Sequence, residues 1–152
     1  MSDIKKYKVA LTGRLLLKGA DGETMYAEGA DGEPDKKKPM AVNLYSPGSK
    51  QYANANNKRQ NHQVDLLKNK GPTKESTDAA RRESAEYLAA CTESFENVDY
   101  DGLTGRDLAI AVYSDIEIGF VADQVAAYLR DWGNFLKPST TISASTSGKA
   151  PG

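Results

Sequence analysis

A thiol nucleophile needs a base within reach, and this chain offers one cysteine, Cys91, and one histidine, His62. His62 falls in the most polar part of a helical stretch, between Asn61 and Gln63. Cys91 falls on the apolar side of the next helix, where a small buried hydrophobe is its usual role. Catalysis by that pair is not expected. Glu93, Glu96, Asp99 and Asp101 supply the oxygen ligands that calcium takes, but their spacing does not fit a twelve-residue calcium loop. Phe95 and Val98 interrupt them, so a solvated acidic connector is the expected role. No two Cys or His residues stand at zinc-ligand spacing, and the GxxxxGK pattern of a phosphate loop is missing. The sequence thus assigns no catalytic, cofactor-binding or metal-binding residue. Lys50, Lys58, Arg59, Lys68, Lys70 and Lys74 lie in or beside one helix, and phosphate contacts need only such charges. They span several faces, Tyr52 is the only aromatic among them, and the isoelectric point is about 5.9. Nucleic acid is therefore not the expected partner.

The remaining chemistry is that of a binding surface. In Tyr113–Leu136 the residues Ile118, Val121, Val125, Tyr128, Leu129, Trp132, Phe135 and Leu136 recur at steps of three and four. That is the period of one amphipathic helix. Val121, Val125 and Leu129 are expected in the core. Trp132, the only tryptophan, and Phe135 fit either the core or an interface, where such aromatics serve as anchors.

Before that helix the chain alternates between β and α signals. Residues 6–45 read as β structure, beginning with the alternation of Tyr7, Val9 and Leu11. Two copies of GADGE, at 19–23 and 29–33, each carry an Asp-Gly pair that favours a turn. Thr24–Ala27 is a short return strand, Lys36–Pro39 a solvated loop, and Met40–Tyr45 a third strand. Ser46 as N-cap and Pro47 at the first helical position open a helix that runs to about Lys70, where Gly71-Pro72 stops it. A second helix starts at Ser76 or Thr77 and ends near Ser94, with Ala80, Ser84, Tyr87, Leu88 and Cys91 on one face. Phe95–Leu103 connects it, with a short strand through Phe95, Val98 and Tyr100, to a third helix over Gly105–Tyr113 capped by Thr104. The closing helix follows from about Ile116. The expected fold is α+β: a small N-terminal β hairpin or meander over residues 1–45, then three to four helices over 46–136. The Ser/Thr/Gly/Pro-rich stretch 137–152 buries too little surface to order and is expected to be disordered.

Composition bounds the same picture. At 152 residues with 39% hydrophobic residues and a mean hydropathy of -0.61, the chain forms one domain with a small core. Residues 1–74 hold 14 Lys+Arg against 8 Asp+Glu, and residues 75–136 hold 4 against 13. Such polarity favours a charged partner or head-to-tail self-association. A single cysteine excludes an internal disulfide and points to a reducing compartment. No apolar run approaches the ~20 residues that span a bilayer, so no membrane partner is expected.

Several phrases, in order, carry a resemblance. These are Leu44-Tyr45-Ser46-Pro47-Gly48-Ser49-Lys50-Gln51-Tyr52, Leu88-Ala89-Ala90-Cys91-Thr92, Val112-Tyr113-Ser114-Asp115, Val121-Ala122-Asp123-Gln124-Val125 and Arg130-Asp131-Trp132-Gly133-Asn134-Phe135-Leu136. Over residues 40–136 the chain resembles the tail assembly chaperones of long-tailed bacteriophages. The resemblance implies a non-enzymatic protein of the host cytoplasm that coats the helical tape-measure protein and helps recruit tail-tube subunits. Many members of that family are also made in a longer, frameshifted form. Phe120, Tyr128, Trp132, Phe135 and Leu136 are then the candidate partner-binding residues. A structural virion protein, such as a minor capsid, connector or tail component, is the alternative.

Overall fold

The computed structural model describes residues 3–70 and 77–137. Its centre is a three-stranded antiparallel sheet of β1 (Thr12–Leu16), β4 (Ala41–Tyr45) and β5 (Thr92–Glu96), with β4 in the middle. Alternation places Val42 and Leu44 on the inner face, both fully buried. Asn43 points the other way. Its side-chain amide donates to Glu96 Oε2 at 2.9 Å, and Arg14 Nε donates to the same carboxylate at 2.9 Å, so one polar bridge crosses all three strands. The bridge holds the Glu96 carboxyl below its usual range, first through Arg14 and then through Asn43.

Between β1 and β4 the chain makes a two-stranded ribbon, β2 (Tyr26–Glu28) with β3 (Pro34–Pro39). The two GADGE segments fold alike. Gly22 and Gly32 adopt positive φ of 84° and 81°, and Asp21 and Asp31 each accept a hydrogen bond from the amide two residues on. Lys36–Pro39 is strand rather than loop. The three lysines are exposed as expected of a solvated segment, but their backbone pairs with β2, and charged residues with flanking prolines suit an edge strand.

Four helices cover the inner face: α1 (Lys50–Lys70), α2 (Thr77–Ala90), α3 (Gly105–Ser114) and α4 (Gly119–Leu129). α2 and α3 make the most extensive helix pair. Ala85, Leu88, Ala89, Cys91, Leu108, Val112, Tyr113, Val121, Val125 and Leu129 join Leu17, Val42 and Leu44 in one core. The α+β class is therefore the observed one, with a sheet that takes its third strand from within the helical region.

Four boundaries differ from the pattern. The first residues, Ile4–Tyr7, form a 3-10 turn capped by Asp3 rather than a strand. α1 begins at Lys50, not at Pro47, because Ser49 is its cap: Ser49 Oγ accepts from Tyr52 N at 3.1 Å and donates to Ser46 O at 2.7 Å. α2 stops at Ala90 because Cys91 O accepts from Tyr45 N at 2.8 Å and starts a ladder along β4. Its buried face accordingly comprises Ala85, Leu88 and Ala89, while Ala80 and Ser84 are exposed. The closing segment is not one helix to Leu136. α4 ends at Leu129, and Asp131 Oδ1 accepts from Gly133 N at 2.9 Å to cap a separate 3-10 turn, Trp132–Phe135. Apart from Lys137, the expected disordered tail lies outside the described residues, as does the Gly71-Pro72 stop.

Candidate partner-binding surface

The turn after α4 splits the two aromatics that periodicity placed together. Asp is a favoured cap and Gly a poor helix former, so Asp131 and Gly133 redirect the backbone. Asn134 Nδ2 then donates to Tyr128 O at 3.0 Å, satisfying a carbonyl at the helix end. Phe135 swings inward to 1% exposure, while Trp132 stays 56% exposed and Leu136 52%. Phe135 lies edge-to-face with Tyr128, centroids 5.2 Å apart. Its ring covers Gly13, where a Cβ would stand 2.7 Å from Cε1. Phe135 is thus a core residue and leaves the candidate set, since no partner can reach it.

Tyr128 is half-buried and braces the turn. Its hydroxyl lies 3.2 Å from Arg14 O and 3.3 Å from Asn134 O, and burial raises its pKa. Phe120 is half-buried against the core. Trp132 and Leu136 remain as true surface groups. The N-terminal segment meets the turn through its backbone: Ala10 N donates to Phe135 O at 2.7 Å. The indole of Trp132 rests beside Gly48, 3.7 Å from where a Cβ would be.

A groove of about 420 Å³ lies between α1, α2 and α4. Leu88 and Leu129 contribute to its apolar lining, and Ala122 and Ala126 of α4 leave space. Tyr52 and Tyr87 form a wall, edge-to-face at 6.4 Å, with the Arg59 guanidinium 4.6 Å over the Tyr87 ring. Arg130 ends the groove two residues before Trp132. An open, apolar channel with aromatic walls and a small-residue side accepts a helix or a large apolar side chain.

The groups with potential for other chemistry are held apart. Cys91 is fully buried, and burial pushes its thiol up to about 11, so it packs as a neutral hydrophobe. His62 faces α2, with Nε2 at 2.6 Å from Glu83 Oε2, eight residues before Cys91 and roughly 12 Å along that helix. Among the acidic connector, Glu96 binds Arg14 and Asp99 Oδ1 accepts from Gly102 N at 3.2 Å. Among the described residues no group of three or more His, Cys, Asp or Glu is arranged to hold a metal ion, and no helix is long and apolar enough to cross a membrane. The basic residues diverge: Arg59 stacks on Tyr87, Lys58 lines a cleft with Glu83 and Glu86, and Lys50 and Lys68 face outward. The Lys70 side chain and Lys74 lie outside the described residues. No protein-family model, curated protein or solved structure matches the chain.

Proposed function

We propose that this protein is a non-enzymatic tail assembly chaperone of a long-tailed bacteriophage. It binds the tape-measure protein in the host cytoplasm and aids the assembly of tail-tube subunits around it. The observation that carries the reading is an open groove between α1, α2 and α4 walled by Tyr52 and Tyr87, in a protein whose Trp132 stays 56% exposed just past the end of α4. A chaperone for a long helical rod needs such an acceptor, because an amphipathic helix docks by laying its apolar side into one.

The phrases that carry the family resemblance support the same surface. The SPGSKQY phrase supplies Gly48 beside Trp132 and Tyr52 in the groove wall. LAACT begins with Leu88 in the groove lining, and the RDWGNFL phrase forms the turn itself. Tyr52, Leu88 and Arg130, each from a different phrase, thus line one groove. Trp132 and Leu136 are the contact residues, with Tyr128 and Phe135 holding the turn in place beneath them.

The test is co-purification with the tape-measure protein of the same phage. Trp132→Ala together with Leu136→Ala should abolish it and leave the circular dichroism unchanged, since both side chains are half-exposed. Retained co-purification refutes the assignment of this surface. Mass spectrometry of purified particles separates the rival role, because stoichiometric presence in the virion belongs to a structural component and not to a chaperone.

A further inference from the structure

We propose that the outward face of α1 docks on the acidic end of a second copy of this chain, giving head-to-tail association. On α1 the residues Ala53, Asn57, Gln60, Val64 and Leu67 recur at steps of four, three, four and three, the spacing of a helix–helix seam. All five are exposed. Val64 and Leu67 are 54% and 68% exposed, one turn apart near the end of the helix. The seam runs for about 21 Å with nothing among the described residues covering it. Lys50 and Lys68 flank it, both exposed.

The complementary surface lies where the loop after β5 meets the turn before α4. The Tyr100 hydroxyl donates to Asp115 Oδ2 at 2.8 Å, and Asp115 caps the Ile116–Ile118 turn through Glu117 N at 2.9 Å. Asp101 and Glu117 are near enough to add to the rise in the Tyr100 pKa that the Asp115 hydrogen bond dominates. At the centre of these carboxylates Ile116 is 69% exposed, and Leu103 is partly exposed beside Tyr100. Each surface therefore pairs exposed aliphatic groups with charge, and the charges are opposite.

Charge also selects the occupant. Two copies of the α1 seam would place lysines against lysines, which disfavours a symmetric α1–α1 contact. Pairing α1 with the acidic end of the next copy places Lys68 among carboxylates and buries Val64 and Leu67 on Ile116. The two surfaces are different, so the contact is heterologous and repeats into a ring or an open helical array. The contact uses neither Trp132 nor the groove, so its failure leaves tape-measure binding untouched.

Sedimentation of the full chain over a range of concentrations tests it. The wild-type mass should rise beyond a dimer with concentration and fall as ionic strength is raised. Val64→Gln with Leu67→Gln, and separately Ile116→Lys, should each weaken association about tenfold or more. An equal mixture of the two variants should stop at a dimer, because only one pairing of intact surfaces remains. Should either variant lose its helical spectrum, the milder exposed changes Lys68→Gln and Glu117→Lys replace it in the same mixing experiment. A wild type that stays monomeric, variants that associate as wild type does, or a mixture that forms no dimer would each overturn the proposal.

Discussion

Phe135 and Trp132 stand three residues apart in one turn, and replacing each by Ala should give opposite outcomes. Phe135 is 1% exposed, and its ring lies on the backbone of β1 at Gly13. Gly13 has no side chain that could relax into the space left behind, so the cavity stays open. Loss of a buried Phe costs about 3–5 kcal/mol, and the lost edge-to-face pair with Tyr128 argues for the upper part of that range. A domain of this size holds only about 5–15 kcal/mol in total and loses about 2–4 °C per kcal/mol. Phe135→Ala should therefore melt roughly 10–15 °C lower. Trp132→Ala removes a half-exposed ring, and a change within about 1 kcal/mol, or about 3 °C, is expected. Thermal unfolding followed by far-UV circular dichroism reads both. If Trp132→Ala melts as low as Phe135→Ala, the indole is a core group and the docking surface is misassigned. If Phe135→Ala melts within a few degrees of wild type, the inward turn is wrong.

Gly13→Ala attacks the same contact from the other side, since the new Cβ would stand 2.7 Å from Phe135 Cε1 and 2.9 Å from the Tyr128 hydroxyl. It should cost about 1–3 kcal/mol, read as a lower urea midpoint at unchanged slope. Cys91 gives a pH prediction: its folded pKa is raised from 9.0 to about 11, so the unfolded chain ionises first. The stabilisation is full below pH 9 and is lost as pH rises toward 11, roughly 1 kcal/mol of it by pH 10. Cys91→Ala should flatten the urea-midpoint profile between pH 8 and 10, and an unchanged slope would refute the buried thiol. Burial also raises Tyr87 and Tyr113, so a steeper loss above pH 10 persists in that variant. Glu96 works in the opposite direction, because its folded pKa is lowered. Its contribution is present above about pH 4.5, its ordinary value, and is lost as pH falls through the depressed one, so Glu96→Gln should blunt the acid limb of the same profile.

Local signals were legible where local chemistry decides the outcome. The Asp-Gly pairs set both ribbon turns, and the period of Val121, Val125 and Leu129 set the buried face of α4. Strand β5 was legible only in part: the short strand expected through Phe95, Val98 and Tyr100 is in fact Thr92–Glu96, placed by a partner 51 residues away, with Asn43 opposite Ser94. Glu93 and Ser94 continue a helical pattern until the open edge of β4 captures the backbone. At the closing segment the spacing from Leu129 to Trp132 and Phe135 still fits a helix, so the periodic signal ran through the break. The sign of the break was present in Asp131, Gly133 and Asn134, the residues that cap and turn the chain. At the candidate site, Trp132 and Phe135 fitted core and interface equally from their spacing, and only the turn after α4 separated the exposed Trp132 from the buried Phe135. The groove was not legible, since Tyr52, Tyr87 and Ala126 come from three helices and meet only through tertiary packing.

The proposal that the exposed Trp132 contacts a tape-measure helix can be tested by contact rather than by loss. A photo-crosslinking phenylalanine analogue placed at position 132, in cells that also produce the tape-measure protein, should give a covalent adduct with that protein on illumination. The same analogue at Lys37, exposed on the distant ribbon, should give none. An adduct at 132 alone is the predicted result. No adduct at 132, or equal adducts at both positions, contradicts the account.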